Sequence, residues 1–95
     1  GLPFNLPGYR YCGPATDIEK QDDLGGPINA VDAACRKHDV DYLLGVLPSE
    51  ADEALLTTVQ LHRKDLFPLF AAAMSAKKYF ESQIGGSYTS FLYFY

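Results

Sequence analysis

The chain has 95 residues, 47% of them hydrophobic, and a formal net charge of −4. That length supports one small domain, 1–95, around one core, and no apolar run approaches the ~20 residues of a membrane span. The acidic balance argues against nucleic acid, which needs clustered Lys and Arg, and gives no general pull toward anionic lipid. No stretch has the charged and apolar regions of a signal peptide, and Gly1 reads as the start of a trimmed chain.

Residues 1–28 hold four of the six prolines and five of the eight glycines, with little periodicity. They read as an ordered, irregular loop region. The run Leu6-Pro7-Gly8-Tyr9-Arg10-Tyr11-Cys12-Gly13-Pro14 is a succession of turns with aromatic anchors between them. Residues 16–23 are polar enough for a short exposed helix or a loop, and Gly25-Gly26-Pro27 then punctuates.

Asn29 is a good N-cap for a helix over about 29–44, closed by Gly45. Its apolar face carries Val31, Ala34, Cys35, His38 and Tyr42 at helical spacing. After a short connection, Ser49-Glu50-Ala51-Asp52 has the capping-box pattern of a second helix, about 50–64, with Ala51, Leu55, Leu56 and Val59 inward. Pro68 either interrupts the pattern or occupies the first turn of a third helix over about 66–84. The inward positions of that helix are Leu69, Phe70, Ala73, Met74, Lys77, Phe80 and Ile84. Residues 87–95 form a β-prone aromatic tail.

The chemistry concentrates in Cys35-Arg36-Lys37-His38-Asp39-Val40-Asp41-Tyr42. Successive helical residues diverge by about 100°, so His38 and Asp39 face different ways and cannot simply pair. His38 and Tyr42 share a face, with Cys35 a turn before. This division suits a general base on one side of the helix and a metal carboxylate on the other. The short connection makes the first two helices antiparallel neighbours. Asp52 then comes within about one turn of His38, where a carboxylate orients a histidine base and accepts the Tyr42 hydroxyl. As the third helical residue of a capping box, Asp52 has an ordinary duty as well. The turn Tyr11-Cys12-Gly13-Pro14-Ala15 offers backbone carbonyls of the kind that hard cations such as Ca²⁺ take together with a carboxylate, and Asp39 is the candidate. Cys12 and Cys35 could form one bridge or stay free as small buried hydrophobes. His62 sits in a charged stretch and reads as surface.

These elements together resemble a known family. Residues 6–14, Pro27-Ile28-Asn29, the segment from Asp32 to Tyr42, Ala51-Asp52 and Ala76-Lys77-Lys78 are similar to the phospholipase A2 domain of the unique region of parvovirus minor capsid proteins. Similar domains occur in some invertebrate proteins. The resemblance runs from about residue 3 to 86. It implies a mainly α fold: two antiparallel core helices carrying the active site, an N-terminal calcium loop and a third C-terminal helix. It implies His38 as the base that activates water, with Tyr42 and Asp52 fixing its tautomer. Asp39 and the carbonyls of Tyr11, Gly13 and Ala15 would bind Ca²⁺, and the Gly13 N–H would help hold the oxyanion. The implied activity is calcium-dependent hydrolysis of the sn-2 ester of glycerophospholipids at a membrane surface. A viral chain would serve membrane breaching in the endosome from the virion; a cellular one would be secreted or luminal. The family's calcium loop usually has glycine at the place of Ala15, which favours the alternative of a calcium- or lipid-binding module without turnover. Most parvovirus domains also lack the cysteines, and Cys12 and Cys35 resemble the pair that joins calcium loop to catalytic helix in secreted phospholipases A2. The tail, with Tyr88, Phe91, Leu92, Tyr93, Phe94 and Tyr95, lies outside the resemblance and could pack on the helices or mediate self-association.

Overall fold

A computed structural model describes residues 5–84, with side chains as far as Ala76. The inward positions read at Lys77, Phe80 and Ile84, and the tail 87–95, lie outside that description. The described residues are mainly helical: α1 (Ile18–Asp23), α2 (Ala30–Leu43), α3 (Pro48–His62) and α4 (Phe67–Ile84), with a 3₁₀ turn at Lys64–Leu66. None of these helices is long and apolar enough to cross a membrane.

Local chemistry sets the bounds of α2. The Asn29 side chain accepts the Asp32 N–H at 2.9 Å, as an N-cap should. At the other end the Val46 N–H reaches the Asp41 carbonyl at 2.9 Å and the Gly45 N–H reaches Tyr42 at 3.2 Å. This pair of bonds is a Schellman closure, and it needs Gly45 at φ +81°.

The start of α3 differs from the expected capping box. The helix begins at Pro48, its N-cap is Leu47, and no side chain caps it. A proline in the first turn has no N–H to satisfy, so it can open a helix without a cap. That moves Asp52 a turn inside the helix, where its carboxylate turns inward to His38 and Tyr42. Pro68 likewise sits in the first turn of α4 and does not interrupt it.

α2 and α3, joined by a four-residue connection, pack as antiparallel neighbours, and α4 packs on α3. The core brings Leu55 and Val59 of α3 and Phe70 and Met74 of α4 together with Val31 and Cys35 of α2. Leu6, Tyr11 and Cys12 join this core from the N-terminal segment, so the irregular part of the chain is anchored by burial. Helix α1 buries nothing; Asp17 caps it, accepting the Lys20 N–H.

What α1 contributes is a charge. Asp22 accepts a bidentate pair of bonds from Arg36 of α2, at 2.9 and 2.7 Å, and the Tyr11 hydroxyl also donates to it. The Arg36 guanidinium first, and then the Tyr11 hydroxyl, hold the Asp22 carboxyl down from 3.8 to about 2. A depressed carboxyl adds stability that is present above the unfolded value and lost as pH falls through the folded one. Thermal midpoints should therefore fall between pH 4 and pH 2 more steeply in the wild type than in Asp22→Asn. Parallel slopes over that window would show that the ion pair does not couple to folding.

Candidate functional site

Side chains from the middle of α2 and the start of α3 meet at the centre of the site. His38 is 1% exposed and Asp52 2%. His38 Nε2 lies 2.6 Å from Asp52 Oδ1, and the Tyr42 hydroxyl donates to the same oxygen at 2.6 Å. The rings of His38 and Tyr42 stack one turn apart, centroids 4.4 Å apart and tilted by 38°. A carboxylate on Nε2 favours a hydrogen there, so the neutral imidazole keeps its lone pair on Nδ1. Helix geometry and the antiparallel turn thus bring to Asp52 two residues that precede it by 10 and 14 positions.

Asp39 is the next residue after His38 and projects from α2 about 100° further round. It is 9% exposed, and among the described residues its Oδ1 has no hydrogen-bond partner. Burial pushes its carboxyl up from 3.8 to about 8. A buried carboxylate with an unmatched oxygen is costly unless a cation compensates it.

The segment leading into the candidate carbonyl loop is tied to the same helix. Cys12 and Cys35 are disulfide-bonded, with Cα atoms 5.3 Å apart. Closing a loop over a separation of 23 residues stabilises by about 3 kcal/mol in the chain-entropy picture. One turn below, the Arg10 and Tyr11 N–H groups bond to Asp32 Oδ1 at 3.0 and 2.8 Å. Tyr11 is therefore level with Asp32 and Cys12 with Cys35. The Thr16 hydroxyl lies 3.2 Å from both the Tyr11 and the Gly13 carbonyl oxygens, so those two oxygens converge on one point.

Gly13 is required by close approach: a Cβ there would lie 2.0 Å from Asn5 Oδ1. Ala15 has φ +52°, and no other described non-glycine residue has a positive φ. The left-handed conformation costs an L-residue roughly 1–2 kcal/mol, partly offset by the greater unfolded freedom of glycine, ~0.5–1 kcal/mol. Ala15→Gly should therefore stabilise the fold by about 0.5–1 kcal/mol, a rise of a few degrees in melting temperature. A lower melting temperature would show that Ala15 is not strained.

Among the described residues no group of three His, Cys, Asp or Glu side chains could hold a metal. A cation here would rest on backbone carbonyls with Asp39 as the carboxylate, a donor set made of oxygen and suited to Ca²⁺. Among the described residues the observation that fits such an ion is the buried Asp39 Oδ1 without a hydrogen-bond partner.

The comparisons with known proteins now bear on this geometry. The family model of the phospholipase A2-like domain matches residues 2–65, which include the loop, α1, α2 and α3. The chain belongs to the phospholipase A2-like domain family. It is also 46% identical over 39 residues to the minor capsid protein VP1 of Bovine parvovirus 1. That alignment covers 41% of this chain and 5% of the capsid protein, so the chain spans only a small part of its relative. No solved structure matches.

Several residues that shape this family site carry no chemical signal in the sequence. Thr16 acts on the loop through its hydroxyl and Asn5 through close approach to Gly13. Asp32 is fully buried and takes three backbone N–H groups, from Arg10, Tyr11 and Ile28. Its one readable mark is its place seven residues before Asp39, on the same face of α2. His62 is exposed. A groove of about 320 Å³ between α2 and α3 also reaches His38, lined by Ala30, Ala34, Lys37, Ala51, Ala54 and Thr58 among others. By helix geometry it lies on the flank of α2 away from Asp39.

Proposed function

We propose that this domain is a calcium-dependent phospholipase A2 that hydrolyses the sn-2 ester of glycerophospholipids at a membrane surface. The observation that carries the reading is the buried His38–Asp52 pair adjoining a buried Asp39 carboxylate with an unmatched oxygen. A base held by a carboxylate and a separate cation seat, from consecutive residues of one helix, are what direct hydrolysis of an ester by water requires.

In this reading His38 Nδ1 takes a proton from water as the water oxygen bonds to the ester carbonyl carbon. Asp52 stabilises the imidazolium that forms and holds the ring's orientation. The Tyr42 hydroxyl donates to the same Asp52 oxygen and so helps fix the carboxylate against the ring. As the tetrahedral species collapses, the imidazolium returns its proton to the departing glycerol oxygen. The products are a free fatty acid and a lysophospholipid, with no acyl-enzyme. The Gly13 N–H helps hold the oxyanion. Asp39 and the carbonyls of Tyr11, Gly13 and Ala15 would hold Ca²⁺, which would supply positive charge for the substrate phosphate and the ester carbonyl.

The capsid relative favours a viral setting, in which the domain acts from the virion to breach the endosomal membrane. A cellular chain would act in a secreted or luminal compartment. The φ of Ala15 favours one second reading, a calcium- or lipid-binding module without turnover. Phosphatidylcholine vesicles with Ca²⁺ or with chelator separate the two. Fatty-acid release that stops with chelator supports the hydrolase; vesicle binding without release supports the module.

A further inference from the structure

The anchoring of the 11–15 loop depends on a residue outside the catalytic and cation-binding sets. We propose that Asp32 is a positioning residue that sets the cation loop in its binding conformation before any cation arrives. The inference rests on the reading of that loop as a calcium site.

Asp32 is 0% exposed, and among the described residues no Lys or Arg side chain is bonded to it. A buried carboxylate without a cationic partner survives when several hydrogen bonds satisfy its lone pairs. Here Oδ1 accepts the Arg10 and Tyr11 N–H groups, and Oδ2 accepts the Ile28 N–H at 3.0 Å. The residue's own N–H is held by Asn29. One side chain therefore joins three separate stretches: the turn entering the loop, the segment entering α2, and the first turn of α2 itself.

The consequence for the loop is directional. With the peptide N–H groups of Arg10 and Tyr11 pointed at Asp32, those two peptide planes are fixed against the helix. The Cys12–Cys35 bridge then fixes the next residue one turn higher. Two anchors at successive levels set both the height and the rotation of the strand that leads into the carbonyls of Tyr11 and Gly13. A disulfide alone fixes height but leaves the chain free to pivot about one covalent link. Arg10 adds to the frame, since its guanidinium donates to the Leu24 and Gly26 carbonyls at 2.9 and 3.0 Å. Neither Asp32 nor Arg10 needs to touch the cation or the substrate in this scheme.

Asn at 32 keeps the volume but puts an NH₂ group against one of the N–H donors, so one anchor is lost. The test compares the 95-residue chain with Asp32→Asn and with Met74→Ala, a core truncation on α4. Calcium binding is measured by titration calorimetry, and amide exchange is followed residue by residue in chelator. The expected result is a roughly 10- to 100-fold loss of Ca²⁺ affinity in Asp32→Asn, with near wild-type affinity in Met74→Ala. In the wild type without calcium, the Arg10, Tyr11 and Ile28 amides should exchange as slowly as those of α2. Equal affinity losses in the two variants overturn the proposal. Fast exchange of those three amides in the calcium-free wild type overturns it as well, even where Asp32→Asn fails to fold. A wild type that binds no Ca²⁺ removes the calcium reading itself, a distinct outcome from either of these.

Discussion

His38→Gln should lower fatty-acid release from phospholipid vesicles by about 10²–10⁴-fold, the usual worth of a positioned general base. Gln can still donate an amide hydrogen to Asp52 from near the position of Nε2, so the buried carboxylate keeps a partner. It has no basic nitrogen to take a proton from water. The circular dichroism spectrum and the calcium-dependent shift in melting temperature should therefore stay close to wild type. Turnover within a few-fold of wild type would remove His38 from the mechanism. A collapse of the helical signal would instead mean that its main duty is packing.

Asp39→Asn should abolish two properties together. The calcium-dependent rise in melting temperature disappears, because the seat loses its carboxylate, and vesicle hydrolysis falls to background with it. Stability in chelator should move the other way. Burial opposes the charge at this position and one carboxylate oxygen has no partner among the described residues. A neutral amide of the same shape removes that cost, so the variant should melt at or above the wild type when calcium is withheld. A variant that still gains stability from millimolar Ca²⁺ would place the ion elsewhere. One that melts well below wild type in chelator would show that Asp39 already has a compensating partner.

These two residues could be found in the sequence because helical spacing converts directly into direction. His38, Tyr42 and Cys35 fall on one face and Asp39 on the next, and the structure has all four buried along α2. The short connection after Gly45 fixed the antiparallel pairing, and with it the level at which Asp52 meets His38. The same reasoning misplaced the start of α3. Ser49 and Asp52 have the spacing of a capping box, but Pro48 can begin a helix without one, and the carboxylate found a more enclosed partner. Both possibilities were written in the same five residues, 48–52, and tertiary contact decided between them.

The loop was readable in composition and not in conformation. Glycine and proline mark turns, but they do not say which peptide planes face the helix. Those planes are set by Asp32, by the Thr16 hydroxyl and by the space left beside Asn5, contacts with no periodic trace. Ala15 shows the limit well: its identity is plain in the sequence, while its φ of +52° belongs to the folded loop. The single disulfide had a similar status, since two cysteines allow a bridge and only proximity of Cys12 to Cys35 makes one.

Position-specific labelling of the sn-2 chain, followed while calcium is titrated, addresses the account at its centre. Phospholipid carrying distinct labels on the two acyl chains would be presented in vesicles to the wild-type protein. The account predicts release of the sn-2 label alone, rising with calcium to saturation. The half-saturating concentration should equal that of the thermal shift, because one ion serves both. Release of both chains equally, or release that is indifferent to chelator, would contradict a cation and His38 acting on one ester bond.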